Sequence, residues 1–125
     1  MDVLSAPGAP AAVGPYSHAV RSGGLLFCSG QVGLDAQSGA LVEGDVADQT
    51  RQAFQNVRAV LDAAGVGLGA VVKATVFLAS MDDFGAVNAV YAEAFGGHRP
   101  ARSTVAVAGL PLGALVEVEV VAEVG

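Results

Sequence analysis

The strand-forming stretches of this chain are apolar at both parities, and only two stretches can form helices to cover them. Val71 to Ala79, Ala101 to Ala108 and Leu115 to Val124 all carry Val, Ala or Leu on alternating and intervening positions. Such strands belong to a sheet covered on both faces. The element order reads β-β-α-β-α-β-β, which suits an α+β fold with a mixed β-sheet and both helices on one face. Two helices cover one face of a sheet. The second face then needs a partner, and further copies of the same chain supply one economically.

The clearest helix spans residues 46–64. Asp45 fits its N-cap and Asp48 its acidic first turn. Ala53, Phe54, Val57, Val60, Leu61 and Ala64 repeat at helical spacing, Gly65 closes the segment, and Gln49, Arg51, Gln52, Gln55, Arg58 and Asp62 fill the polar positions. Asp82 is a candidate cap for a second helix, 83–95, with Phe84, Val87, Tyr91, Ala94 and Phe95 in one stripe. Tyr16 to Arg21 and Leu25 to Gln31 read as a hairpin around Ser22-Gly23-Gly24. Residues 1–13 are small and Pro-rich, an extended lead-in. The 125 residues suit one domain with one core.

Composition narrows the function classes. The formal net charge is −6, and the six basic residues (Arg21, Arg51, Arg58, Lys73, Arg99, Arg102) are scattered. Nucleic-acid binding draws on a basic stripe, which is absent here. No uninterrupted apolar stretch is long enough for a membrane helix, and no basic-then-apolar leader opens the chain. The lone Cys28 excludes an internal disulfide and fits a reducing, cytoplasmic setting. The histidines, His18 and His98, have no ligand spacing around them, so no metal site is expected. Neither a P-loop nor a dinucleotide fingerprint is present.

One charge stands out. Arg102, in His98-Arg99-Pro100-Ala101-Arg102-Ser103-Thr104, opens an uncharged run that ends at Glu117. The run reads strand, Gly/Pro turn, strand, and a hairpin there would bring Arg102 and Glu117 together. An arginine offers a planar donor fork suited to a carboxylate. Alternation in the last strand puts Val116, Val118 and Val120 on one face, with Glu117 and Glu119 on the other. Two readings stay open. A solvated edge is the commoner outcome for such carboxylates; the sharper reading pairs Glu117 with Arg102 or with a water. Arg102 itself can be a structural ion-pair partner. Tyr16-Ser17-His18 and Ser29-Gly30-Gln31 add polar groups at strand ends, and Gly30 allows close backbone approach by a ligand. Cys28 alternates away from Ser29 and reads as a small buried residue.

Taken together, Gly14-Pro15-Tyr16-Ser17, Ser29-Gly30-Gln31, Gln49-Thr50-Arg51-Gln52, Val72-Lys73-Ala74-Thr75-Val76-Phe77-Leu78, Arg99-Pro100-Ala101-Arg102-Ser103, Leu110-Pro111 and Val116-Glu117-Val118-Glu119 resemble the RidA/YjgF family of imine and enamine deaminases. The resemblance runs from Gly14 to about Ala122. It implies a chorismate-mutase-like α+β fold, a homotrimer with clefts between subunits, and no metal or organic cofactor. It implies hydrolysis of 2-imino acids such as 2-iminobutanoate and 2-iminopropanoate to 2-oxo acids and ammonia. By that resemblance Arg102 holds the substrate carboxylate and Glu117 orients or deprotonates the water. Tyr16 lines the pocket, Ser29 with the backbone around Gly30 completes its polar wall, and Glu119 is a supporting or surface carboxylate. Many members carry cysteine where this chain has Thr104, which removes any thiol role there. Where many relatives carry Gln, His18 is expected at the cleft rim. Two other functions stay in view: a non-catalytic metabolite binder of the same family, and an endoribonuclease or translation inhibitor, which the acidic charge disfavours.

Overall fold

The computed structural model describes residues 1–125. Its strands are β1 (Asp2–Leu4), β2 (Ala19–Ser22), β3 (Leu25–Cys28), β4 (Gln31–Val32), β5 (Val71–Leu78), β6 (Ala101–Ala106) and β7 (Val116–Glu123). Its helices are α1 (Val46–Ala63) and α2 (Phe84–Phe95). The strands form one mixed sheet in the order β1-β2-β3-β7-β5-β6, with β4 also paired to β7. Only β5 and β6 run parallel, as the α2 crossover between them requires.

Both helices lie on one face. Ala74, Val76 and Leu78 of β5 and Val116, Val118, Val120 and Ala122 of β7 are buried beneath them. Phe54 of α1 meets Tyr91 and Phe95 of α2 edge-on, at 5.8 and 5.6 Å between ring centroids. Such aromatic pairs contribute about 0.5–1.5 kcal/mol beyond their buried area. α1 starts as the sequence indicates: the Asp45 side chain accepts from the Asp48 amide, and the Asp48 carboxylate accepts from the Asp45 amide.

The opposite face carries no layer. It presents Leu25 and Phe27 of β3, Lys73, Thr75 and Phe77 of β5, Glu117, Glu119 and Val121 of β7, and Ser103 and Val105 of β6. Phe27 and Val105 are exposed apolar residues on it.

Five expectations need revision. Arg102 and Glu117 do not share a hairpin, because β5 lies between β6 and β7 and pairs with both. The long apolar β5 takes the central position, and β6 goes to the edge. The lead-in is not wholly irregular, since Asp2–Leu4 pairs antiparallel with β2. The strand expected from Tyr16 begins only at Ala19, and Leu25 to Gln31 breaks at Ser29-Gly30 into β3 and β4. Asp82 does not cap α2; the Ser80 hydroxyl accepts from the Asp82 amide and starts a 3-10 turn, Met81–Asp83, ahead of the helix. Gln49, expected on the polar face of α1, is buried: its Oε1 accepts from the Leu115 amide at 2.9 Å. Asn56 is also buried and donates to the Val32 and Leu34 carbonyls. These two amides fix the chain segments on either side of the Glu117 pocket against α1.

Candidate active site

The four segments that carry the candidate residues fold into two separate places. The first is a pocket of about 290 Å³ whose lining includes Tyr16, Gly30, Pro111, Leu112 and Glu117. Glu117 sits on β7 between Val32 of β4 and Phe77 of β5. Its carboxyl lies directly against Gly30: a Cβ at that position would collide with Oε2 and stand 2.8 Å from Cδ. The close approach expected of a ligand is thus made by the glutamate itself. Half burial and the neighbouring Glu119 push the Glu117 carboxyl above its ordinary value, burial being the larger cause. A carboxylate held this way takes up a proton more readily than one in water.

Ser29 does not line that pocket. Its hydroxyl donates to the Ser17 carbonyl at 2.6 Å and its amide to the His18 carbonyl at 2.9 Å. It ties the Tyr16 loop to the end of β3. His18 is buried and acts similarly: Nδ1 accepts from the Ala6 amide and Nε2 donates to the Pro10 carbonyl, both at 2.8 Å. That pattern requires the neutral Nε2–H form. His18 therefore pins the N-terminal segment, and this is more than a place at the rim. Cys28 is buried on the helix side, and burial raises its thiol to about 11, which leaves it inert.

The second place is on the helix face at the sheet's edge. Arg102 pairs with Ala74, whose side chain is buried under the helices, so Arg102 and Glu117 project to opposite faces. The guanidinium stacks over the Tyr91 ring at 4.6 Å and over Phe84 at 5.7 Å, and it donates to Asn88 Oδ1 at 2.6 Å. No carboxylate pairs with it; the chain's one ion pair joins Arg51 and Asp48. Most of its five donors stay free, with Arg99, Pro100, Asn88 and Tyr91 around the same depression. The structural ion-pair reading of Arg102 therefore fails within one chain. Burial raises the Tyr91 phenol, against the pull of Arg102 and Arg99. The Tyr91 and Thr104 hydroxyls are buried without partners in this region.

Asn88 and Tyr91 were not singled out as site residues from the sequence. Their spacing of three on a helix puts them on one face, and the signal was visible only once Arg102 was known to lie over α2. No three His, Cys, Asp or Glu side chains converge to hold a metal. No helix is long and apolar enough to cross a membrane.

Comparison with known proteins decides the family. The sequence profile described as Endoribonuclease L-PSP matches residues 6–124. The 2-iminobutanoate/2-iminopropanoate deaminase of Mus musculus is 50% identical over 98% of this chain and 91% of its own length. The chain belongs to the RidA/YjgF family. A RutC family protein of Pyrococcus horikoshii is 46% identical over 97% of this chain and 96% of its own. The fold agrees as closely: the Rid family protein YyfA from Yersinia pestis superposes with a TM-score of 0.95 at 46% identity, covering 98% of both chains. RidA proteins of this family thus share the mixed sheet with two helices seen here.

Proposed function

We propose that this chain hydrolyses reactive 2-imino acids and their enamine tautomers to 2-oxo acids and ammonia. The reaction takes place in clefts between the subunits of a homotrimer. The curated RidA relatives that carry the name 2-iminobutanoate/2-iminopropanoate deaminase support the reaction class. The geometry that supports a shared cleft is the placement of Arg102 and Glu117 on opposite faces, each without a charged partner in its own chain. A substrate bridging them needs two copies, and the uncovered sheet face offers the surface for assembly.

The chemistry follows from the two groups. Arg102 binds the substrate carboxylate through paired charge-assisted hydrogen bonds, with Asn88 and Tyr91 holding the guanidinium. Glu117 accepts a proton from water as its oxygen bonds to C2, and the C=N π electrons move to nitrogen. The carboxyl returns that proton to nitrogen, giving a neutral carbinolamine. The carboxylate then takes the carbinolamine hydroxyl proton and delivers it to the amino nitrogen, and the C–N bond breaks with its electron pair so that ammonia leaves as C2 becomes a carbonyl. One water is consumed, and the carboxyl returns to its starting state. A raised carboxyl suits both halves of this cycle. Tyr16 at the pocket wall orients the imine, and Ser29 holds the Tyr16 loop. Positioning supplies most of the effect, since imines already hydrolyse in water. Glu119 acts by raising Glu117. The whole chain works as one unit, in the cytoplasm, removing damaging metabolites, without cofactor, nucleic acid or membrane.

The test couples purified protein to a threonine dehydratase and follows 2-oxobutanoate release in competition with semicarbazide. Wild type should speed release, and Arg102→Ala should not. Equal rates with and without wild type would sink the enzymatic reading, and carboxylate-dependent binding without turnover would establish the binder. RNA cleavage that is lost in Arg102→Ala would establish the nuclease instead.

A further inference from the structure

Leu112 has a backbone that a leucine rarely adopts. Its φ is 59° and its ψ 20°, the one non-glycine residue in the left-handed region. That region favours glycine or asparagine. The turn does not need the leucine side chain. Its hydrogen bonds, Gly113 amide to Leu110 carbonyl and Ala114 amide to Pro111 carbonyl, are all backbone. Nor is the side chain drawn inward, since it is 69% exposed. A strained residue that serves neither turn nor core calls for a role elsewhere.

The surroundings suggest that role. Leu112 lines the Glu117 pocket, and two other large exposed residues line it too, Val13 and Tyr16. Pro10, Ala11 and Pro111 continue the apolar wall. An apolar side chain extending from C2 away from the substrate carboxylate would meet this wall.

We propose that Leu112 sets side-chain selectivity at this pocket, so that the chain favours 2-imino acids with extended or branched apolar side chains over the smallest ones. This rests on the imine-hydrolase reading above. Each methylene of substrate buried against the wall favours the larger substrate by about fourfold, so a leucine-derived imine gains on an alanine-derived one by at least tenfold or so.

The test generates imines in place from alanine, leucine and phenylalanine with an amino-acid oxidase and measures kcat/KM by semicarbazide competition. Wild type is compared with Leu112→Asn, which suits the left-handed turn and keeps the fold. The wild-type leucine-to-alanine ratio should be about ten. In Leu112→Asn it should fall severalfold, because one side chain leaves the apolar wall while Val13, Tyr16 and Pro111 remain. Turnover with the same ratio in both proteins overturns the proposal while leaving the imine reading intact. A lower sedimentation mass for Leu112→Asn also overturns it, by assigning Leu112 to a subunit contact. Failure of the wild type on all three imines overturns the imine reading and this proposal together.

Discussion

Replacing Gly30 with alanine tests how tightly the Glu117 carboxyl is placed. The backbone of Gly30 lies outside the left-handed region, so an alanine is tolerated there, and only the collision matters. The added Cβ would stand 2.8 Å from Glu117 Cδ and 3.0 Å from Cγ. Comfortable carbon contacts begin near ~3.5 Å, so the carboxyl must retreat by roughly 0.7 Å or turn to another rotamer. A misplacement on the order of 1 Å at a reacting group costs about 10²-fold in rate. The fold suffers less, because the atoms in the way are the end of one half-buried side chain; overpacking costs about 1–3 kcal/mol. At ~4 °C per kcal/mol for a chain of this length, Tm falls by at most about 12 °C, measured at fixed protein concentration. The assay is kcat/KM for imine hydrolysis beside a thermal melt. A folded Gly30→Ala variant with wild-type kcat/KM would mean that the carboxyl's position against Gly30 has no part in catalysis.

Wild-type kcat/KM should rise with pH through a limb above the ordinary carboxylate range, and Glu117→Gln should remove the limb and about 10²–10⁴-fold of the rate. The same group bears on stability. Its folded pKa is raised, so the stability it contributes is fully present below the unfolded pKa and is lost as pH rises through the folded one. Glu117→Gln should therefore raise Tm at pH 7, with the gain shrinking toward pH 4; an equal gain at both would contradict the burial and Glu119 repulsion assigned to it. Asn88→Ala frees the Arg102 guanidinium from its acceptor and should raise KM more than it lowers kcat. An unchanged KM would remove Asn88 from the anchor.

Local pattern carried the fold a long way. The capping box of α1, the α2 stripe and the alternation of β7 follow from spacing alone, because each depends on residues a few positions apart. Strand order did not. Ala101 to Glu123 looks like a hairpin, since Pro111 and two glycines interrupt two β-rich runs. Whether such runs pair with each other or with a third strand is set by non-local packing, and β5, apolar and central, outcompetes the hairpin. Buried polar residues were equally hidden. Gln49 and Asn56 look like surface amides until β4 and the start of β7 arrive with backbone groups to satisfy. The candidate site residues come mainly from the family resemblance, and local pattern gave no sign of the contacts two of them make in the fold. Ser29 ties loops, and Gly30 accommodates Glu117. The strained turn at Leu112 had no sequence signal, because a Pro-Leu-Gly triplet is compatible with several turns.

Under the proposed function, Arg102 of one copy and Glu117 of another complete each site. The direct test mixes two inactive variants, Arg102→Ala and Glu117→Gln, under conditions of subunit exchange, with mixed oligomers verified by native mass. If every site takes its arginine and its glutamate from different chains, random equal mixing restores about one quarter of wild-type activity. Mixed oligomers that remain as inactive as either parent would contradict it, and would place both groups of a working site in one chain.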